Sequence, residues 1–279
     1  MIATALGLSA CGGTATPEAA ATPGPIADDV IPLRLLPSEP LFVPGETMSF
    51  ELTYQDVLGG RAVLAVGTPG VSEGRRVLIV SSLFETAGVA ELVKDVRDEF
   101  HTQLDAATGA PVGHHGTYHS GKNLISSKTE FVGDVAKIEY VRNDDPPKRK
   151  QVKLPEGELV HDVHSIIGAL RAWQPEPGDA VYFYSISGRR VWRSVLRFAG
   201  RETVRTGNGL QAALRLEGVA TRLTYALEPD PKKKPRDMLV WLSDDDARLP
   251  VRMVARTEYG ELKAVLVDYQ RPEERVSRR

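Results

Sequence analysis

From Met48 onward the chain alternates apolar and polar side chains: Met48, Phe50, Leu52 and Tyr54 are interleaved with Ser49, Glu51 and Thr53. Successive side chains of a strand point to opposite faces, so this period of two predicts a strand with one buried face. Val63–Val66 and Val77–Val80 follow at short intervals, separated by Gly59 and Gly60 and by Gly70 and Gly74, residues suited to tight turns. The pattern resumes at 131–141, 181–187, 191–198, 210–219, 238–242, 251–258 and 262–269. About ten strands at hairpin spacing predict a mainly β fold, a large antiparallel β-sandwich or (half-)barrel.

Two segments break the alternation. Residues 86–96 read ambiguously as helical, whereas 162–173 place Val163, Ile166, Ile167, Leu170 and Trp173 on one helical face, with Asp162 available as N-cap and Pro175 and Pro177 as a stop. Such an apolar stripe buries against a sheet. Core packing accounts for it, and its position also suits a lid or plug on the β structure. Pro44-Gly45-Glu46 and Pro177-Gly178-Asp179 each open an alternating strand, at an offset of 133 residues. Two related halves, 41–155 and 177–272, would explain this echo, and so would the frequency of Pro-Gly turns; a single β-rich domain over 41–272 with a short tail at 273–279 is expected.

The N-terminus carries a different signal. Cys11, the sole cysteine, ends Leu8-Ser9-Ala10-Cys11 behind the apolar leader Ile2–Gly7. This is the pattern of a bacterial lipobox, which predicts a signal peptide over 1–10, lipidation of Cys11 and anchorage on the periplasmic side of the cell envelope. The leader is short and has no Lys or Arg before it. Gly12 after the cysteine fits sorting to the outer membrane. Residues 11–40 begin Gly-, Ala-, Thr- and Pro-rich and are expected to form a disordered tether.

Composition narrows the picture further. Thirty-five basic against 37 acidic residues, 42% hydrophobic and 26% charged, describe an ordinary globular protein. No segment after the leader approaches the roughly 18 consecutive apolar residues of a membrane-spanning helix. With one cysteine there is no internal disulfide.

Candidate chemistry is sparse. Gly116-Thr117-Tyr118-His119-Ser120-Gly121-Lys122-Asn123 nearly matches a phosphate-binding loop, but Asn123 replaces the required hydroxyl and a strand-like run follows, so a hairpin turn is expected. His114, His115 and His119 form one group and His161 and His164 another, with His101 alone. Their spacing matches no zinc motif, and solvated loop histidines account for them; no metal is assigned. There is no G-x-S-x-G elbow. Acidic groups such as Asp95 with Asp98 and Glu99, or Asp244 to Asp246, read as surface, the latter as a hairpin loop. Lys148-Arg149-Lys150 and Lys232 to Arg236 are read as basic loops beside prolines. Nucleic acid is not an expected partner, and neither a catalytic residue nor a cofactor is assigned.

Phe42-Val43-Pro44-Gly45-Glu46 before a strand, the helix of 162–171, Pro177-Gly178-Asp179, Gly200-Arg201-Glu202-Thr203-Val204, Trp241-Leu242-Ser243 and Leu249-Pro250-Val251 together resemble the bacterial family known as domain of unknown function 3108, over about residues 41–270. The resemblance implies a periplasmic or lipid-anchored β-rich protein of Gram-negative bacteria without an assigned activity, and it supplies no catalytic residues. Two readings follow. The first is a non-enzymatic envelope scaffold that binds an apolar or amphipathic ligand, such as a lipid, or an envelope protein partner, with Tyr182, Tyr184, Trp192 and Trp241, and also Phe198, as candidate ligand-facing aromatics. The second is an envelope hydrolase or glycan-acting enzyme whose site is assembled from distant loops.

Overall fold

The computed structural model describes residues 27, 29–35, 42–88, 90–91, 95–257 and 260–272. The expected signal peptide, Cys11 and the tail at 273–279 lie outside them. In chain order the strands are β1 (Val30–Pro32), β2 (Thr47–Tyr54), β3 (Val57–Val66), β4 (Gly70–Ser72), β5 (Arg75–Thr86), β6 (Val96–Asp105), β7 (Pro111–Ser120), β8 (Asn123–Val132), β9 (Val135–Arg142), β10 (Lys148–Lys153) and β11 (Val160–His161). Helix α1 (Val163–Ala172) follows, then β12 (Ala180–Ser187), β13 (Arg190–Thr206), β14 (Gly209–Leu223), β15 (Arg236–Ser243), β16 (Pro250–Thr257) and β17 (Gly260–Gln270).

The protein is mainly β, and its strands form one large sheet that does not close. β12 to β17 pair antiparallel in sequence order, and β17 pairs with β2, which joins the C-terminal strands to the N-terminal ones. From β2 the antiparallel ladder continues through β3, β5, β6, β7, β8 and β9 to β10, while β4 pairs with β5 alone. β1 and β11 add to β12 in parallel. Register shifts at Leu52/Thr53, Gln103/Leu104, Phe198/Gly200, Trp241/Leu242 and Leu266/Asp268 bend the ladder. Each irregularity adds local twist, and together they curl the sheet.

Two apolar cores result. The larger joins α1 to the inner faces of β2, β3, β5, β6 and β12 to β17, with Met48, Phe50, Leu64, Leu196, Leu214 and Leu242 fully enclosed. The smaller packs Phe131, Ile138, Tyr140 and Val152 of β8 to β10 against Tyr184, Ile186, Val191 and Leu223 of β12 to β14. Strand β12 is therefore covered on both faces, Val181 and Phe183 serving the first core and Tyr184 and Ile186 the second. A strand buried on both sides loses the apolar-polar alternation, and β12 does so in Ala180-Val181-Tyr182-Phe183-Tyr184.

α1 begins where the sequence predicts. The Asp162 carboxylate accepts from the backbone N–H groups of His164 and Ser165, and the Ser165 hydroxyl accepts from the Asp162 N–H, a reciprocal capping box. At the other end the Arg171 guanidinium pairs with the buried carboxylate of Glu46, just before β2, and donates to the Ala247 carbonyl at 3.0 Å. The helix thus carries an anion at its N-terminus and a cation at its C-terminus, each favourable to the helix dipole.

In the ambiguous stretch 86–96, Thr86 ends β5 and Val96 opens β6, the Thr86 hydroxyl accepting from the Val96 N–H at 3.0 Å, and the described residues Ala90 and Glu91 between them are helical. Two expectations are corrected. The stretch read as disordered tether through residue 40 contains β1, because Val30 and Leu33 are apolar enough to bury and the Leu33 N–H donates to the Tyr182 carbonyl. Lys148-Arg149-Lys150 opens β10, not a loop; its exposed charges border an edge strand, where they discourage pairing with other chains. The loop at 244–249 is a hairpin connection as expected, with Asp245 Oδ1 accepting from Ala247 and Arg248 N–H groups.

Candidate functional site

The N-terminal end of α1 meets the inner faces of β5, β6 and β7. Strand parity sends Ser82, Thr102 and His114 inward from these strands, where they surround Asp162 and His164. Asp162 and His164 are 0% exposed and His114 4%. Thr102 is the hub. Its hydroxyl donates to Asp162 Oδ2 and lies 3.0 Å from His114 Nδ1 and 2.6 Å from His164 Nδ1. His114 Nδ1 is also 3.2 Å from Asp162 Oδ2, and His164 Nε2 is 2.9 Å from the Ser82 hydroxyl.

These contacts fix the proton inventory. A threonine hydroxyl has one proton and two lone pairs. With the proton committed to Asp162, both lone pairs accept, so His114 and His164 each carry the proton on Nδ1, and His164 Nε2 accepts from Ser82. The donors and acceptors of the Thr102 and His164 side chains are thereby all matched. Burial holds His164 well below its ordinary range, and it is neutral. Asp162 remains ionised despite its burial, because His114 and Thr102 donate to it and the nearby imidazoles favour its charge; its carboxyl lies below the usual range. The same three side chains offer a donor set that a borderline cation accepts, their ligating atoms all lying within 4.8 Å of one another. Ligation through Nδ1 would require both imidazoles to give up the protons that now bond Thr102.

The second feature lies beside α1. A cavity of ≈ 90 Å³ separates Val163, Ile166, Ile167 and Leu170 of the helix from the sheet, whose wall includes Phe183, Trp192, Leu196, Val240 and Met253. Val163 and Ile166 remain partly exposed on the apolar face of α1, as an opening beside them requires. Ser185, Ser194, Arg236 and Asp237 are its polar members.

The structure separates the aromatics that the sequence groups together. Trp192 lines the cavity. Tyr182 and Tyr184 occupy the opposite face of β12, stacked edge to face at 6.1 Å in the smaller core, with the Tyr182 hydroxyl donating to Glu158. Trp241 is buried in the larger core, donates to Glu202 and lies under Arg252, 4.8 Å from ring to guanidinium. Phe198 belongs to the larger core.

The histidines need a larger revision. His114, His161 and His164 are buried, not solvated loop groups, because β7 and the capping turn carry them into the interior. His119, His115 and His101 lie on β7 and β6, the last held between Ser81 at 2.8 Å and Glu99 at 3.1 Å. The near phosphate-loop at 116–123 is the β7–β8 hairpin, as expected. Asp98, buried to 5% exposure on β6, is a further group that the sequence reading left on the surface; burial pushes its carboxyl up to about 7.

The model of the family described as a protein of unknown function, DUF3108, matches residues 49–267. The chain belongs to this family. Among solved structures, a β-barrel-like protein of another domain of unknown function, DUF1849, from Brucella abortus is similar over 83% of this chain and 99% of its own, at 10% identity and a TM-score of 0.51. Two further structures cover as much with lower scores. One, described as an exported protein with a YmcC-like fold from Bacteroides fragilis, aligns with 81% of this chain and 96% of its own at 13% identity and a TM-score of 0.37. The other, described as a lipoprotein of Parabacteroides distasonis, aligns with 87% and 100% at 11% identity and a TM-score of 0.33. No curated protein matches the chain. The Brucella likeness places this DUF3108 member among β-barrel-like folds and carries no activity with it. Among the described residues no helix is long and apolar enough to cross a membrane.

Proposed function

We propose that this DUF3108 protein is a non-enzymatic scaffold of the bacterial cell envelope, tethered through a lipid on Cys11 at the periplasmic face of the outer membrane, that holds the apolar part of a ligand between α1 and β12–β16. One observation carries the reading. The space beside α1 is walled almost entirely by aliphatic, aromatic and thioether side chains, with few polar atoms, which is the composition of a site that takes hydrocarbon. Its ≈ 90 Å³ is below the roughly 150 Å³ of an apolar cavity that admits benzene, so a chain of several carbons enters as α1 shifts away from the sheet.

The buried carboxylates support the non-enzymatic side. Asp98 lies four residues from Thr102 along β6, about 13 Å at ~3.3 Å per residue, and Thr102 is where the Asp162 carboxylate sits. Two carboxyl groups that work together on a glycosidic bond stand at about 5–9.5 Å. Each of these is instead enclosed singly.

The test is binding of the apolar fluorophore 1-N-phenylnaphthylamine by the purified full-length protein, compared with Ala255→Phe, which fills the cavity. Saturable fluorescence enhancement in the native protein and its loss in the variant are expected. Equal enhancement in both, or none in either, would overturn the cavity reading. For the tether, globomycin or Cys11→Ser should leave an unlipidated precursor; an unchanged mature mass overturns that part.

A further inference from the structure

The cavity has a charged end. On β13 the side chains of Trp192, Ser194 and Leu196 line it, so Arg190, two residues before Trp192, projects from the same face. Register carries the pattern across the sheet: Trp192 stands opposite Arg222 of β14, and Ala220, also a lining residue, opposite Arg236 of β15. Arg236 lines the cavity itself, its guanidinium 5.0 Å from the centre of the Trp192 ring. Three guanidinium groups thus share one face at one end of an apolar space. Arg189, in the preceding turn, adds a fourth charge nearby, over the Tyr140 ring at 5.6 Å. Among the described residues, Asp230 lies 3.3 Å from Arg222 Nε and Asp237 stands exposed at the rim.

Burial, followed by the like charges of Arg222, Arg189 and Arg236, holds the Arg190 guanidinium down at about 10. It stays charged at neutral pH, so the cluster keeps its mutual repulsion. An anion placed among these groups relieves that repulsion and receives paired N–H donors in the fork geometry that suits carboxylate and phosphate.

We infer that the ligand is a single-chain anionic amphiphile, its hydrocarbon tail beside α1 and its carboxylate or phosphate head among Arg190, Arg222 and Arg236. The inference rests on the cavity reading above and adds the head-group chemistry to it. Trp192 marks the junction, its ring serving as apolar wall on one side and as a platform for Arg236 on the other.

The experiment displaces 1-N-phenylnaphthylamine from the full-length protein with dodecanoate, dodecyl phosphate, 1-dodecanol and inorganic phosphate, all below micelle-forming concentrations. Both anionic amphiphiles should displace the probe at concentrations about tenfold or more below that of 1-dodecanol, and inorganic phosphate should not displace it. Arg190→Gln with Arg236→Gln should abolish the advantage of the anions, bringing the ratio of their potency to that of the alcohol in the same variant to about one. If that variant does not fold, as read by circular dichroism, raising the salt concentration on the native protein gives the same test, because the advantage of the anions should shrink as the charges are screened. Equal potency of alcohol and anions in the native protein, or an anionic advantage indifferent to salt, overturns the head-group assignment and leaves the cavity reading standing. Inorganic phosphate as potent as dodecyl phosphate overturns the amphiphile in favour of a bare anion site. Failure of every amphiphile to displace a bound probe overturns both readings.

Discussion

Arg171 and Glu46, 125 residues apart in the chain, meet in a buried two-pronged ion pair, with Nη2 3.2 Å from Oε2. The pair ties the C-terminal end of α1 to the entrance of β2, and the Tyr269 hydroxyl and Val43 N–H complete the shell of Glu46 at 3.0 and 2.9 Å. Removing one partner strands the other charge in the interior. Arg171→Met should therefore cost about 3–5 kcal/mol in urea unfolding. Adding Glu46→Gln, which keeps the contacts to Tyr269 and Val43 while discharging the site, should recover part of that loss. A double variant no more stable than Arg171→Met would show that the uncompensated charge is not the cause.

The Thr102 hub predicts a sharp difference between two small substitutions. Thr102→Val keeps the shape and removes the hydroxyl, leaving Asp162 one donor short and the His164 Nδ1–H without its acceptor, while the His114 N–H keeps Asp162. A loss of about 3 kcal/mol or more is expected. Thr102→Ser keeps the hydroxyl and should cost about 1 kcal/mol for the lost methyl. Equal losses in chemical denaturation would mean that packing, not the hydrogen-bond hub, makes Thr102 matter.

The sequence makes some of this legible and hides the rest for physical reasons. β2 stands out because its inward residues, Met48, Phe50 and Leu52, are all apolar. β6 has the same period of two, burying Val96, Asp98, Phe100, Thr102 and Leu104, yet two of its five inward side chains are polar, and hydrophobic periodicity does not register them as buried. β7 hides still better, since it sends His114 and Gly116 inward. The parts of the site that are hardest to read as sequence are thus the polar inward positions that make the hub. Asp162 was legible as a cap, a local property. Its partners come from strands 48 and 60 residues away, and only the curl of the sheet brings them to it.

Gly218 predicts how tightly that curl is drawn. It lies opposite Leu196 on β13, where a Cβ would stand 1.9 Å from the Val195 carbonyl oxygen and 2.7 Å from a Leu196 methyl. The obstacle is backbone, so the strands themselves must part. Gly218→Ala should destabilise by roughly 2 kcal/mol or more. Gly70→Ala, with nothing within 4 Å of the added carbon, should stay within about 0.5 kcal/mol of the native protein in the same thermal or urea measurement. Similar behaviour of the two would remove close packing at Gly218 as the reason for a glycine there.

Stability should depend on pH through three buried groups of opposing sign. Burial lowers His161 to about 4 and also lowers His164. Their unfolded forms take up protons near pH 6.5 and their folded forms do not, so their contribution is complete above pH 6.5 and is lost as the pH falls. Asp98, raised to about 7, works the other way: its contribution is complete below about pH 4 and is lost as the pH rises towards 7. Each group contributes a slope of roughly 1.4 kcal/mol per pH unit within its window. Between about pH 4 and 6.5 two histidines oppose one aspartate, so stability should fall on acidification by about 1.4 kcal/mol per unit, from a maximum near pH 6.5. Asp98→Asn removes the opposing term: the slope below pH 6.5 should roughly double, and the decline above it should disappear. Urea unfolding of both proteins from pH 4 to 8 reads these slopes directly, and a native protein that gains stability on acidification through this range would contradict the buried, neutral state of His161 and His164.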